Sequence, residues 1–202
     1  DPQGHFGTQR LMLSLLTAGA NGRDAMQIAE QEERLGASLN AFGTLDRSTV
    51  QLVALSANLG LSLDLLADVV IRPDFAEGEV VRLRNQQLAA VAQEGTQPNG
   101  LATRTLPGLI YGTEHPYGRP SSGLGSASSV QAIDRAALVD FHQRWIRPET
   151  AQIFIVSDRP LRSILPMLNA RFGSWRAAAG VPDPHRDPTA GGAAGVGRWE
   201  IG

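Results

Sequence analysis

Residues 37–56 read ASLNAFGTLDRSTVQLVALS, and the period of the apolar residues in this stretch decides the fold class. Leu39 and Ala41, then Val50, Leu52 and Ala54, alternate with their neighbours. Successive side chains of a strand point to opposite faces, so alternation marks a strand with one face buried. Thr44-Leu45-Asp46-Arg47 separates the two runs and supplies the turn of a hairpin.

On either side of the hairpin the period is helical. Segment 6–19 carries Leu11, Met12, Leu15 and Leu16 and stops at Gly19, which predicts a mostly buried helix. Asn21-Gly22 breaks the chain, and a second helix runs through Met26, Ile28, Ala29 and Leu35 to Gly36. After the hairpin, Leu59, Leu63, Leu66 and Val70 set a helix over 58–71 that halts at Arg72-Pro73. A long helix over 76–95 turns Val80, Leu83, Leu88 and Val91 inward and Arg82, Arg84, Gln86 and Gln93 outward. Pro98-Asn99-Gly100 opens another helix to about Tyr111, and the Gly-, Pro- and Ser-rich stretch 112–129 reads as a long loop. Helices over 134–145 and 160–171 flank Ile153-Phe154-Ile155-Val156, a continuous apolar run that predicts a strand buried on both faces. Hairpin strands among many helices predict an α+β fold, an antiparallel sheet packed against several helices. Residues 1–176 form the expected folded unit, and 177–202, rich in Pro, Gly, Ala and Asp, read as a linker in which Val196 to Ile201 starts a further strand.

Composition narrows the function classes. The 202 residues suit one domain, and a net charge of −2 leaves no electrostatic footprint for nucleic acid or anionic lipid. All 18 basic residues are arginine, which reads as coding bias of a GC-rich genome. Without cysteine there are no disulfides, thiolate metal sites or thiol nucleophiles. No apolar run approaches the ~20 residues a membrane span needs, and no signal peptide is evident. The opening Asp1-Pro2-Gln3-Gly4 reads as mid-domain loop, so a fragment is expected.

Several stretches, in this order, resemble the amino-terminal half of a pitrilysin/insulinase (mitochondrial-processing-peptidase-like) domain. They are Leu15 to Gly19, Leu35 to Ala41, Asp46 to Val50, Leu65 to Phe75, Tyr111-Gly112 with His115-Pro116-Tyr117-Gly118, Phe141 to Val156, and Arg171-Phe172-Gly173-Ser174-Trp175. The family begins with two more strands ahead of the first helix, which this sequence lacks. The resemblance therefore implies a sheet completed by another segment, or an open edge through which the chain can associate with a second copy.

Active members of the family carry H-x-x-E-H on the first helix. Its two histidines, four apart, share a face and bind Zn²⁺, and the glutamate activates the metal-bound water. A further glutamate on the long helix is the third protein ligand. With the helix ends aligned at Gly19, the histidine positions fall on Arg10 and Ser14 and the glutamate on Leu13. Residues 8–18 hold no His, Glu or Asp, and His5 has Asp1 and Gln9 four residues away on either side. Aligning Thr96-Gln97-Pro98 puts the third ligand near Ala89 and Ala90, with Glu94 the nearby carboxylate. The resemblance thus implies no catalytic residue and no zinc in this chain, with an arginine that repels a dication at a ligand position.

The remaining polar candidates read as structural. His5 is expected at a surface or capping position and His142 solvated or hydrogen-bonded, while His185 falls in the linker. His115 shapes the turn of His115-Pro116-Tyr117-Gly118. Glu114 beside His115 reads as a chance neighbour, and Glu30, Glu32 and Glu33 as a solvated helix face. The serines at 121–122 and 126–129 match no nucleophile or phosphate-loop spacing and read as loop and helix cap. Ser48, Thr49 and Gln51 are polar positions of the second hairpin strand, and the family binds extended peptide by strand addition at such an edge, so they are candidate peptide contacts.

The family arranges four half-domains as two facing bowls, of which commonly one half-domain carries zinc. The resemblance therefore implies a non-catalytic, substrate-enclosing half-domain whose partner is a zinc-bearing half-domain or subunit and whose substrate is a peptide. A catalytically dead assembly or scaffold subunit is the alternative, separated by whether the parent or a neighbouring gene encodes an intact H-x-x-E-H helix. Relatives of this type suggest a periplasmic or otherwise exported protein, and the cysteine-free sequence is equally compatible with the cytoplasm.

Overall fold

The first helix is almost entirely core. In the computed structural model, which describes residues 1, 5–113 and 115–181, α1 (Thr8–Leu16) buries Leu11, Met12, Leu13, Leu15 and Leu16 to 1% exposure or less. Apolar side chains on nearly every side of a helix require neighbours on nearly every side. The later helices and the hairpin supply them: Phe75, Val80, Val130, Ile133, Leu138 and Phe141 close around α1, with Ala41 and Val50 packed at the edge.

The chain continues with β1 (Gly19–Ala20), β2 (Arg23–Asp24), α2 (Ala25–Leu35), β3 (Ser38–Gly43) and β4 (Ser48–Val53). Then come α3 (Leu59–Ile71), α4 (Glu77–Glu94), α5 (Pro98–Tyr111), α6 (Ala127–Gln131), α7 (Arg135–Trp145) and α8 (Leu161–Phe172). The architecture is helix-rich α+β with two small antiparallel hairpins among the described residues, β1–β2 and β3–β4. His185 and residues 196–201 lie outside the described residues, as does Glu114.

In the larger hairpin Leu39 faces Leu52 and Ala41 faces Val50 across the ladder. These four line one face and pack into the core, so the alternation read from the sequence is the alternation of burial. Asn21-Gly22, expected only to break the chain, makes a tight β1–β2 turn with φ of 53° and 77°. Positive φ at both central residues is the geometry that Asn-Gly favours between paired strands. The small hairpin then docks on the residues after α3: Asn21 N donates to Arg72 O (2.9 Å) and Asp74 N to Gly19 O (2.9 Å).

The stretch read as loop over 112–129 ends in helix, since its last three residues open α6, and three further expectations change. In α2 only Ile28 and Leu35 are buried, while Met26 and Ala29 face solvent, so the apolar stripe is narrower than its sequence suggests. Glu32 is not part of a solvated face: it is half-buried and its carboxylate accepts the N–H of Leu39, fixing the start of β3. The third change is the largest. Ile153 to Val156 form no strand; Phe154 is 85% exposed and Val156 fully so. Apolar β-formers make a strand only when a neighbour supplies the ladder, and no described strand lies beside this segment.

Candidate functional site

Two residues of α1 are exposed, Arg10 and Ser14, four apart and therefore on one face. Arg10 Nη1 donates to Ser122 O (3.1 Å), tying α1 to the loop before α6, and Ser14 Oγ donates back to Arg10 O (3.0 Å). Leu13 is buried, and its Cδ1 lies where a Cβ on Gly43 would come within 3.0 Å. The same Cβ would come within 2.9 Å of the Gln9 side-chain amide, so the end of strand β3 lies close against α1.

On α4, Ala90 is half-buried and Ala89 exposed. Glu94 is engaged elsewhere: Arg104 of α5 binds its carboxylate at 2.6 Å and also donates to Gly125 O (2.9 Å). Gln87 occupies the junction between α1 and α4, its amide donating to Gly7 O (3.0 Å) and Leu124 O (2.9 Å). Among the described residues, no three His, Asp or Glu side chains gather into a group able to hold a metal ion.

The candidate peptide contacts do not share a face. Ser48 lies on the inner side, where its hydroxyl accepts from Gln9 Nε2 (3.1 Å). Thr49 and Gln51 project from the other face, opposite Phe42 and Asn40 of β3. Tyr117 Oη donates to Asp46 at the hairpin tip (2.7 Å), which holds the Tyr117 proton and raises its pKa. Its ring groups with those of Tyr111 and His115, and His115 Nδ1 accepts the Tyr117 N–H (3.1 Å), shaping that turn. His5 is exposed and its carbonyl accepts from Thr8 N and Oγ.

His142 is buried, with Nε2 on Val70 O at 2.8 Å and its ring edge-to-face with Phe75. A carbonyl only accepts, so Nε2 carries the proton. Burial lowers the pKa of this histidine, and the Val70 bond opposes the shift in part. A charged cluster that the sequence did not announce joins β2 to α3: buried Asp68 binds Arg23 at 2.5 Å and is also held by Arg72. No motif marks Gln87 or Asp68. Their only signal is a polar side chain at an inward position of a helix.

Comparison with known proteins places this geometry. The family model described as Insulinase (Peptidase family M16) matches residues 1–115, and that described as Peptidase M16 inactive domain matches residues 132–194. The chain belongs to the insulinase family, M16. An uncharacterized zinc protease of Mycobacterium tuberculosis is 29% identical over 168 residues, covering 83% of this chain and 38% of the relative. The chain therefore spans about two fifths of the length of this curated relative. A peptidase M16 inactive domain from Pseudomonas fluorescens has the same fold at a TM-score of 0.80 and 28% identity, over 89% of this chain and 43% of that one. A Helicobacter pylori protease superposes with a TM-score of 0.81 at 20% identity, covering 90% of this chain and 43% of that one.

Zinc is the metal in the name of the Mycobacterium relative. The residues that the resemblance sets against the two histidine ligands and the water-activating glutamate, Arg10, Ser14 and Leu13, do not fit those roles. Arg10 presents only N–H groups, Leu13 carries no ligating or basic atom, and the Ser14 hydroxyl is committed to its own helix.

Proposed function

We propose that this chain is a non-catalytic, substrate-enclosing half-domain of an insulinase-like zinc peptidase, with the zinc ion held by a partner half-domain or subunit. One observation carries the reading: the solvent-facing strip of α1 is Arg10 and Ser14, and Leu13 between them is core. A helix built this way keeps the shape of the domain without the ligands. Peptide would pass along the hairpin, with the β4 edge adding strand-type hydrogen bonds and Thr49 and Gln51 meeting side chains on the outer face. Residues 1–176 would form the half-domain and 177–202 the passage to the next one. An exported, periplasmic setting fits the reading. Among the described residues no helix is long and apolar enough to cross a membrane.

The test is metal analysis and peptide turnover on the purified chain, beside affinity capture of the full-length parent. The expected result is zinc far below one per chain, no turnover, and an H-x-x-E-H-bearing half-domain in the same parent or co-purifying with it. Stoichiometric zinc held through chelation sinks the proposal. An intact parent assembly without any H-x-x-E-H helix favours the scaffold alternative.

A further inference from the structure

A cleft of about 330 Å³ opens between α7, the segment that follows α3 and the turn that follows α8. Val139, His142 and Ile146 line it from one face of α7. Ile71 and Phe75 line it from the segment after α3, and Trp175 from the turn after α8. A concave site walled in this way suits a small ligand with an apolar body.

Phe75 is the strained member of the lining. Its φ of 47° is left-handed, which is rare for a bulky residue. Arg135 Nε donates to its carbonyl (2.9 Å), and its ring stands edge-on to the His142 ring at 5.7 Å. His142 is thereby held twice, by Phe75 and through Nε2–H on Val70 O (2.8 Å). Nδ1 remains an acceptor with no partner among the described residues, on a buried ring that lines the cleft. It calls for an N–H or O–H on the ligand.

Two exposed arginines complete the lining. Arg135 uses Nε and Nη2 on the carbonyls of Phe75 and Asp74, and Arg176 uses Nη1 on those of Gly173 and Trp175. Each keeps further N–H groups, no acid lines the cleft, and neither arginine has a carboxylate partner among the described residues. Such a site favours an anion. We propose that this cleft binds an N-acylated aromatic or branched amino acid with a free carboxylate. The side chain lies among the apolar walls, the N–H donates to His142 Nδ1, and the carboxylate turns toward the arginines. A free acid and the C-terminal residue of a peptide share this chemistry. The inference is independent of where zinc is held.

Calorimetric titration with N-acetyl-phenylalanine tests it on the 202-residue chain and on its full-length parent. Saturable binding at one site per chain is expected from both. N-acetyl-phenylalaninamide, which lacks the charge, should bind about tenfold more weakly. The ester-linked isostere O-acetyl-phenyllactate, which lacks the N–H, should also bind more weakly. Arg176→Gln should weaken the acid and leave the amide unchanged, a contrast that damaged folding cannot produce. His142→Gln keeps a donor for Val70 O and loses the acceptor, so the preference for the N–H compound over the ester should vanish. A peptide ending in phenylalanine that binds as well identifies a chain end as the ligand, and binding of the small acid alone identifies a free acid. Absence of saturable binding at millimolar concentration overturns the proposal. So do equal affinity for acid and amide, selectivity unmoved by either variant, or binding by the chain that its parent lacks.

Discussion

Replacing Leu13 with glutamate is the most direct test of how α1 is used. The side chain is 1% exposed and packs within the cluster that includes Leu16, Phe75, Val80 and Phe141. Removing the leucine forfeits about 2–3 kcal/mol of apolar burial. Placing a neutral carboxyl there without a designed partner costs about 1–3 kcal/mol more. The sum, about 3–6 kcal/mol, is a large share of the 5–15 kcal/mol that typically holds a domain together. The loss should also depend on pH with a definite sign. Burial raises the folded-state pKa of the new carboxyl above its unfolded value near 4.3, so the native state holds the proton longer. Stability relative to the parent is therefore best at acid pH and declines as pH rises through the folded value. Urea unfolding followed by tryptophan fluorescence, to which Trp145 stacked on Phe141 at 5.9 Å contributes, measures both effects, with Leu13→Gln as the pH-insensitive comparator. A variant within about 1 kcal/mol of the parent and flat with pH would refute the placement of Leu13 in the core.

Grafting Arg10→His, Leu13→Glu and Ser14→His together should not create a tight zinc site, because α4 offers Ala89 and Ala90 and binds Glu94 to Arg104; calorimetric titration with zinc checks it. His142 is held neutral by burial, so its contribution is fully present above about pH 6.5 and lost as pH falls through its lowered folded value. His142→Gln should accordingly flatten the acid limb of a stability-versus-pH curve, and an unchanged limb would contradict its burial. Asp68→Ala frees Arg23 and Arg72, both partly solvated, and should cost about 1–3 kcal/mol in urea unfolding.

Local pattern carried the parts of the fold that local physics decides. The β3–β4 hairpin is legible because the inward side chains of a strand recur every second residue, and Leu39, Ala41, Val50 and Leu52 keep that period. The helices are legible for the same reason, as is the common face of Arg10 and Ser14. Residues 153–156 fail as a strand because a strand is defined by its neighbour, and β propensity alone says nothing of where that neighbour is. Gln87 reaches Gly7 across 80 positions and Tyr117 reaches Asp46 across 71, distances at which one sequence carries no pairing signal. Glu32 was hidden differently: its exposed neighbours Glu30 and Glu33 make it look like one more solvated acid.

The makeup of α1 has a consequence for how such a protein can change over generations. Drift at positions 10 and 14 meets water and one bond to the loop before α6, whereas drift at 11, 12, 13, 15 or 16 meets the packed interior. A lineage can therefore shed the polar pair without unfolding, and the surviving vessel remains available for other work.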